Sequence, residues 1–324
     1  MGFAPLQIDT PAETERIAIS VRTALGGMKR RGVVVAMSGG IDSTVTAALC
    51  VRALGPGRVL GLFLPEHDSD TDSLRLGRLA AHALGISTET EEISALLEAA
   101  GCYRRRNEAV RTVIPEFGDD WKLKIVLPSA VKSDALRVFS VVARSPDGRE
   151  VTKRLGADAY LGIVAATNFK QRTRKMMEYY HADRLNYAVA GTPNRLEYDQ
   201  GFFVKLGDGA ADLKPIAHLY KTQVYALAEY LDLPEEIRKR PPTTDTYSLP
   251  QSQEEFYFSL PYAQMDICLY GKNHGLPDEE VASAAGLSLD ELARVYRDID
   301  QKRRTTAYLH TAPVLVDRVR ETDG

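Results

Sequence analysis

A run of apolar residues, Val33-Val34-Val35-Ala36-Met37, leads into Ser38-Gly39-Gly40-Ile41-Asp42-Ser43 and then a helical pattern from Thr44 to Leu54. No other feature constrains the fold as strongly. The run has strand length and is apolar on both faces, as a parallel strand covered by helices on each side must be. The glycine pair lets backbone N–H groups approach an anion. The following helix N-terminus adds partial positive charge, and Ser38, Ser43 and Thr44 supply hydroxyls. This is not a Walker A loop, because no Gly-Lys-Ser/Thr is present and no lysine is there for the β- and γ-phosphates. Asp42 would meet a phosphate poorly by itself but well through Mg²⁺. A plain strand-to-helix turn with a serine cap is the competing reading. It leaves unexplained why glycines, hydroxyls and an acid coincide at a strand end, where α/β proteins bind ligands.

The flanking pattern repeats the theme. Pro11 to Leu25 reads as an amphipathic helix behind Thr10 as N-cap and ahead of Gly26-Gly27. Val59–Leu64 reads as a second strand, the leucines from Leu74 to Leu84 as a helix, and Thr88–Ile93 as a third strand. Strand and helix alternating in this order predict a doubly wound, mostly parallel α/β sheet. Residues 101–155 break the pattern. Arg104-Arg105-Arg106 and Ser145-Pro146-Asp147-Gly148 punctuate them, and Phe139–Ala143 with Glu150–Arg154 reads as a β-hairpin. The stretch is expected to be an inserted lid. The pattern resumes with a helix near Asn168–His181, a strand at Leu185–Ala190 and a helix at Lys221–Leu231, and helices at about 277–285 and 288–299 follow. The reading is one domain over 1–324, with a helical segment from about 250 to the end.

Composition excludes several classes. With 41 basic and 44 acidic side chains among 324 residues, net charge −3, bulk electrostatic binding of nucleic acid is disfavoured. Cys50, Cys102 and Cys268 are far apart and form no CxxC pair, which argues against a disulfide framework or a structural zinc site. No apolar run reaches membrane-span length, and no signal-peptide or myristoylation pattern stands at the N-terminus, so a cytoplasmic protein is expected.

The Ser-Gly-Gly-x-Asp-Ser loop after a buried strand resembles the PP-loop of the ATP pyrophosphatases, an adenine nucleotide alpha hydrolase-like fold. These enzymes split ATP between the α- and β-phosphates and pass through an adenylated substrate. The second half of the chain narrows the choice. Gly191-Thr192-Pro193-Asn194-Arg195-Leu196-Glu197-Tyr198, the run from Gly201 through Gly207-Asp208-Gly209-Ala210-Ala211-Asp212 to Ile216, and Leu219-Tyr220-Lys221-Thr222-Gln223-Val224 are similar to NAD synthetases block by block. Asn168-Phe169-Lys170-Gln171-Arg172-Thr173-Arg174, Pro242-Thr243-Thr244-Asp245 and Lys302-Arg303 resemble further blocks of that family.

The resemblance implies roles for individual side chains. Ser38, Gly39, Gly40, Asp42, Ser43, Thr192, Lys221 and Thr243 fall at ATP contacts, Thr243 on a mobile loop over the phosphates. Asp42 and Glu197 fall at Mg²⁺ ligands, and hard carboxylate oxygens suit that ion. Lys221 suits the leaving pyrophosphate as a compact charge. Arg172, Lys205, Asp212, Gln301 and Lys302 fall where the family holds its dinucleotide. Asp208 falls at the acid that handles ammonia, which must lose a proton from ammonium before it attacks. Asp42, Lys221 and Asp208 are thus the implied catalytic set. Singly, each also fits a structural role, such as a helix start at Lys221, a solvated face at Arg172 and turn caps at Asp208 and Asp212. In family order and spacing, together, they do not read that way.

Departures stand beside the match. The family's Gln-x-Asp-Glu-x-x-Leu-Gly segment appears as Gln251-Ser252-Gln253-Glu254-Glu255-Phe256-Tyr257-Phe258-Ser259, and the histidine before Lys302 is Gln301. The 101–155 stretch is longer than its family counterpart. No cysteine sits in a nucleophile context and no glutaminase is visible. The resemblance therefore implies an ammonia-dependent ligase that uses ATP and Mg²⁺ to amidate deamido-NAD. The resemblance also implies a homodimer with the dinucleotide site near the interface, and the nitrogen source is expected to be free ammonia or ammonia from a separate protein. An amidating ligase for another carboxylate, a tRNA-thiolating enzyme and a silent nucleotide-binding module are the alternatives. The lack of paired cysteines and of surplus basic charge weighs against the second.

Overall fold

Val33 to Ala36 can form a central strand because both of its faces can be buried, and in the computed structural model the valines there have no solvent exposure. The structure describes residues 3–127, 138–243, 246–258 and 260–317. Helices α1 (Thr10–Met28), α2 (Ile41–Leu54), α3 (Thr71–Leu84), α4 (Ser94–Ala99) and α5 (Cys102–Arg111) alternate at first with strands β1 (Val33–Ala36), β2 (Val59–Phe63) and β3 (Ser87–Thr90). Strands β4 (Lys122–Val126), β5 (Ser140–Arg144) and β6 (Glu150–Arg154) follow, then α6 (Ala157–Leu185), β7 (Ala188–Ala190), α7 (Arg195–Gln200), α8 (Lys221–Tyr230) and α9 (Glu235–Lys239). The C-terminal part holds α10 (Tyr262–His274), α11 (Asp278–Ala285) and α12 (Leu289–Thr306).

The main sheet is parallel in the order β3-β2-β1-β7, with Val35 opposite both Gly61 and Ala190. This is the α/β architecture expected from the sequence. Val33, Val35 and Met37 join a core with residues of α1, α2 and α8, such as Val21, Leu49 and Leu227. Val34, Leu62 and Val189 face the opposite layer, against Leu97, Tyr103 and Ala182. Each such side chain contributes about 2 kcal/mol by leaving water.

The insertion holds a second sheet, antiparallel in the order β4-β5-β6. The expected hairpin is there: Ser145 and Arg149 close it, and Gly148 takes φ +88°. Leu123, Ile125 and Val141 pack with Val110 and Ile163 as a separate core that the start of α6 shares. The C-terminal helices enclose another, around Met265, Leu269, Val281 and Leu292. Among the described residues no helix is long and apolar enough to cross a membrane.

Several elements differ from the sequence reading, each for a physical reason. Helix α1 is capped by Asp9, whose carboxylate accepts from Ala12 N–H at 3.0 Å, and Thr10 is already helical. Gly26 and Gly27 lie inside α1, which ends when Lys29 takes φ 55°. The arginine run is not a break but part of α5, with Arg104 exposed and Arg106 buried against Asp68. Helix α6 has 29 residues rather than the central stretch expected, because one end packs on the insertion and the other under the main sheet. A helix serving two partners has no single apolar stripe to read. Helix α10, within the helical segment expected from about 250, contains Gly271, where a Cβ would meet Val281 Cγ2 at 2.3 Å; the glycine lets α11 come close.

Candidate active site

In the order β3-β2-β1-β7, the chain leaves β1 toward β2 and reaches β7, on the other side of β1, only much later, and a crevice opens beyond the carboxyl ends of β1 and β7. The loop after β1 carries Ser38 to Ser43. The loop after β7 carries Gly191 to Asn194. Between them lies a cavity of about 420 Å³, a size suited to a small-molecule site.

The first loop is held by its own hydroxyls. Ser43 Oγ donates to the Gly40 carbonyl at 3.0 Å and accepts from Ser38 N–H at 3.3 Å, while Ser38 Oγ accepts from Gly40 N–H at 3.3 Å. Gly39 sits at φ +73°, and a Cβ there would lie 2.3 Å from the Ser73 carbonyl oxygen, so only glycine fits. Gly40 is the N-cap of α2 and offers no capping side chain, which leaves the first helical N–H groups available to an anion.

Asp42, in the first turn of α2, accepts from two groups brought by the second half of the chain. Lys221 Nζ donates to Oδ2 and Asn194 Nδ2 to Oδ1, the latter at 3.1 Å. Lys221 opens α8, where its own N–H and that of Thr222 donate to the buried Asp266 carboxylate of α10 at 3.2 and 2.7 Å. Burial opposes the Lys221 charge, but Asp42 and Glu197 outweigh it and hold the ammonium above its usual pKa.

Asn194 and Glu197 form a capping box at the start of α7: Asn194 Oδ1 accepts from Leu196 N–H at 2.9 Å and Glu197 Oε2 from Asn194 N–H at 3.1 Å. Gln253 donates to the other Glu197 oxygen at 3.0 Å. Capping explains the position of Glu197 but not its electrostatics. Burial, then the neighbouring Asp42 charge, push its carboxyl up to about 8. Two carboxylates in such an enclosure favour a cation between them. Among the described residues no group of three or more His, Cys, Asp or Glu side chains could hold a metal ion. Asp42 and Glu197 are the pair that could share one with a phosphate ligand.

The far wall carries a second charged set. Lys175 pairs with Glu178 at 2.7 Å, both nearly excluded from water, and burial raises the Glu178 carboxyl. Asp208 accepts from Val204 N–H at 2.8 Å, and burial raises its carboxyl as well. Lys214, which does not line the cavity, lies 4.7 Å from the Tyr198 ring centroid; burial and then repulsion by Lys175 lower its pKa.

The structure thus brings Ser38, Gly40, Asp42, Ser43, Thr192, Glu197, Asp208, Lys221 and Thr243 around one cavity, with Gly39 behind the loop. The other expected residues lie elsewhere. Arg172 is exposed on α6 and donates to the Lys205 carbonyl at 3.3 Å, while Lys205 Nζ donates to the carbonyls of Tyr308 and Thr311. Asp212 accepts from Val189 N–H and from the Tyr179 hydroxyl, and Gln301 is exposed. Lys302 is buried, with its ammonium on Asp298 and on the Tyr257 carbonyl, both at 2.7 Å. Thr244, Asp245, Ser259 and the side chains of Glu254 and Glu255 lie outside the described residues, as do 128–137 of the insertion and 318–324 of the C-terminal segment.

Sequence reading missed Gln253, Asp266, Lys175 and Glu178. The last two look like an ordinary i,i+3 surface pair, and nothing local marks Asp266 as the residue that caps a distant helix. Burial pushes the Cys50, Cys102 and Cys268 thiols up to about 12, 11 and 12, away from the thiolate form that attacks.

Known proteins share this chain's sequence pattern and fold. The NAD synthase family model matches residues 13–113 and 149–309, leaving out the middle of the insertion. The NH(3)-dependent NAD(+) synthetase of Mesorhizobium japonicum is 61% identical over 96% of this chain and 98% of its own. That of Rhizobium meliloti is 57% identical over 98% and 95%. The solved structure of an NMN synthetase from Francisella tularensis has the same fold at 21% identity, with a TM-score of 0.67 over 96% of this chain and all of its own. Fold, loop, cavity and relatives agree, and the chain belongs to the NAD synthase family.

Proposed function

We propose that the chain is a cytoplasmic, ammonia-dependent NAD synthetase: it joins the carboxylate of deamido-NAD to AMP from ATP, releases pyrophosphate, and lets ammonia displace AMP to give NAD. The observation that carries this reading is the meeting of Asp42, Glu197 and Lys221 at the β1/β7 crevice, beside the uncapped N-terminus of α2. Amides of α2 and the hydroxyls of Ser38 and Ser43 would take the phosphates. Lys221, kept charged by its carboxylate neighbours, would neutralise the pyrophosphate as it leaves. Thr192 and Thr243 line the same cavity, as ATP contacts should.

Mg²⁺ fits the donors present. Asp42 and Glu197 offer hard oxygens; burial and then the Asp42 charge raise the Glu197 carboxyl, and a cation would relieve the repulsion between the two acids. These two residues would hold the ion together with phosphate oxygens, and the ion would supply charge neutralisation at the α- and β-phosphates. Asp208 would accept the proton that ammonium must lose; its raised carboxyl makes it a better acceptor than an exposed aspartate.

Arg172, Lys205 and Asp212 would serve the dinucleotide from the outer face of α6. That face also exposes Leu161, Met176 and Tyr180, with Leu206 beside it, at 55–70% exposure, an apolar surface suited to a second copy of the chain. Sedimentation would show a dimer that Met176→Glu weakens.

Incubation of the purified protein with ATP, Mg²⁺, ammonium and deamido-NAD should give NAD, AMP and pyrophosphate in equal amounts, abolished by a chelator. AMP and pyrophosphate without NAD would overturn the reading.

A further inference from the structure

The segment after Thr243, which departs from the family pattern, is also where the insertion reaches the active site. Thr243 forms an antiparallel bridge with Ser252, and Gln253 N–H donates to the Pro242 carbonyl at 3.4 Å, so the two limbs of this segment are joined at the cavity. Its far end is fastened to β4. Leu249 N–H donates to the Leu123 carbonyl at 3.0 Å, Leu123 N–H to Ser248 Oγ at 2.9 Å, and the buried Gln251 side-chain amide to the Ile125 carbonyl. Tyr247 is 4% exposed within the insertion's own core.

Strand β4 is the edge of its sheet: among the described residues only β5 pairs with it. An uncovered edge is a row of unpaired backbone groups. Here the segment takes them up. On the other side, Gln253 donates to Glu197 at 3.0 Å, so one stretch of chain touches both the insertion and a carboxylate of the cavity. The family model matches residues 246–253 but omits 114–148, which include β4, so the β4 side of this fastening lies in a part of the chain that the family pattern does not describe.

We propose that the edge of β4 is a docking rail for residues 246–253, and that Ser248 and Gln251 are positioning residues for the ATP half of the reaction. They act through Gln253 on Glu197 and through the Thr243–Ser252 bridge. A free segment would lose its conformational entropy when ATP arrives and weaken binding accordingly; a docked one has already been ordered by folding. This inference rests on the proposed function only for the identity of the reaction. The docking itself is a property of the free protein.

Two variants test it. Gln251→Glu keeps the size but replaces the donor facing the Ile125 carbonyl by an acceptor, and Ser248→Ala removes the oxygen facing Leu123 N–H. In the free wild-type protein the Leu249 amide should be protected from hydrogen exchange, and in each variant it should exchange at least about tenfold faster. The dissociation constant of ATP with Mg²⁺, by calorimetry, and the KM for ATP should rise about tenfold, as for loss of one buried hydrogen bond. The KM for the carboxylate substrate and kcat at saturating ATP should stay within about twofold, because a positioning defect confined to ATP binding leaves them alone. Ser248→Thr keeps the oxygen and should restore the wild-type values. If Gln251→Glu does not fold, the Ser248 pair decides. Rapid exchange of Leu249 in the wild type, or unchanged ATP binding in the variants, would overturn the proposal. A wild type that binds ATP but makes no NAD would count against the function and not against the docking.

Discussion

Lys221 and Asp42, one opening α8 and the other in the first turn of α2, form an ion pair in which the lysine side chain is only 2% exposed. Glu197 adds a second negative charge to the same ammonium. On the proposed function, the free enzyme holds a cation where the phosphates and the metal would be accommodated, and the pair would have to open or share its charge when ATP enters.

Lys221→Met should therefore cost activity for an electrostatic reason. With no cation facing the leaving pyrophosphate, turnover measured as AMP release should fall about 10²–10³-fold. Lys221→Arg should not rescue it, since a planar guanidinium does not fit a buried site built around a point charge. Recovery of more than half the activity in the arginine variant would show that mere positive charge suffices.

Gly39 and Gly40 are adjacent but should respond differently to alanine. At Gly39 the positive φ and the 2.3 Å approach to the Ser73 carbonyl both oppose a Cβ, and urea unfolding should show a loss of about 2 kcal/mol or more. At Gly40 the φ is −88° and the nearest atom is Ser38 Oγ at 3.3 Å, so Gly40→Ala should cost less than about 1 kcal/mol. Equal losses would mean that the loop is strained elsewhere.

These local contrasts also show what could be read beforehand. The valine run, the glycine pair and the acid at a strand end are local signals, and both the sheet and the phosphate loop follow from them. Lys221 and Glu197 could be placed only by resemblance, because Asp42 meets Lys221 across 179 positions of sequence. Gln253 and Asp266 carried no local signal at all. Each acts through a contact that exists only once the C-terminal half has folded against the first turns of α7 and α8. Helix α6 was half legible for a related reason: its first turns serve the insertion and its last turns the main sheet, so its apolar residues change face along its length.

The Lys175–Glu178 pair on the cavity wall should behave as a unit. Each side chain is about 5–6% exposed, so Lys175→Met or Glu178→Gln alone leaves a partner buried without its counterion and should destabilise by about 3–5 kcal/mol. The double variant should cost less than either single change, because no charge is then stranded. A double-mutant cycle by urea unfolding measures this coupling, and simple additivity would show that water reaches the pair.

Asp266 offers a pH test whose sign follows from burial. The carboxylate caps α8 through the N–H groups of Lys221 and Thr222, an arrangement that by itself favours the charged form. Burial outweighs those bonds and pushes the group from 3.8 to about 6. Because the folded value lies above the unfolded one, the contribution to stability is complete below about pH 3.8 and is lost as pH rises through about 6. Raising the group by this amount corresponds to about 3 kcal/mol. Asp266→Asn cannot ionise, and it forfeits part of the cap at every pH. Relative to that variant, the wild type should lose about 2 kcal/mol between pH 4 and pH 7, measured by urea unfolding across the range. A constant difference would mean that the cap, not burial, sets the titration. A difference growing in favour of the wild type as pH rises would reverse the sign and place the carboxylate among groups held in their charged form.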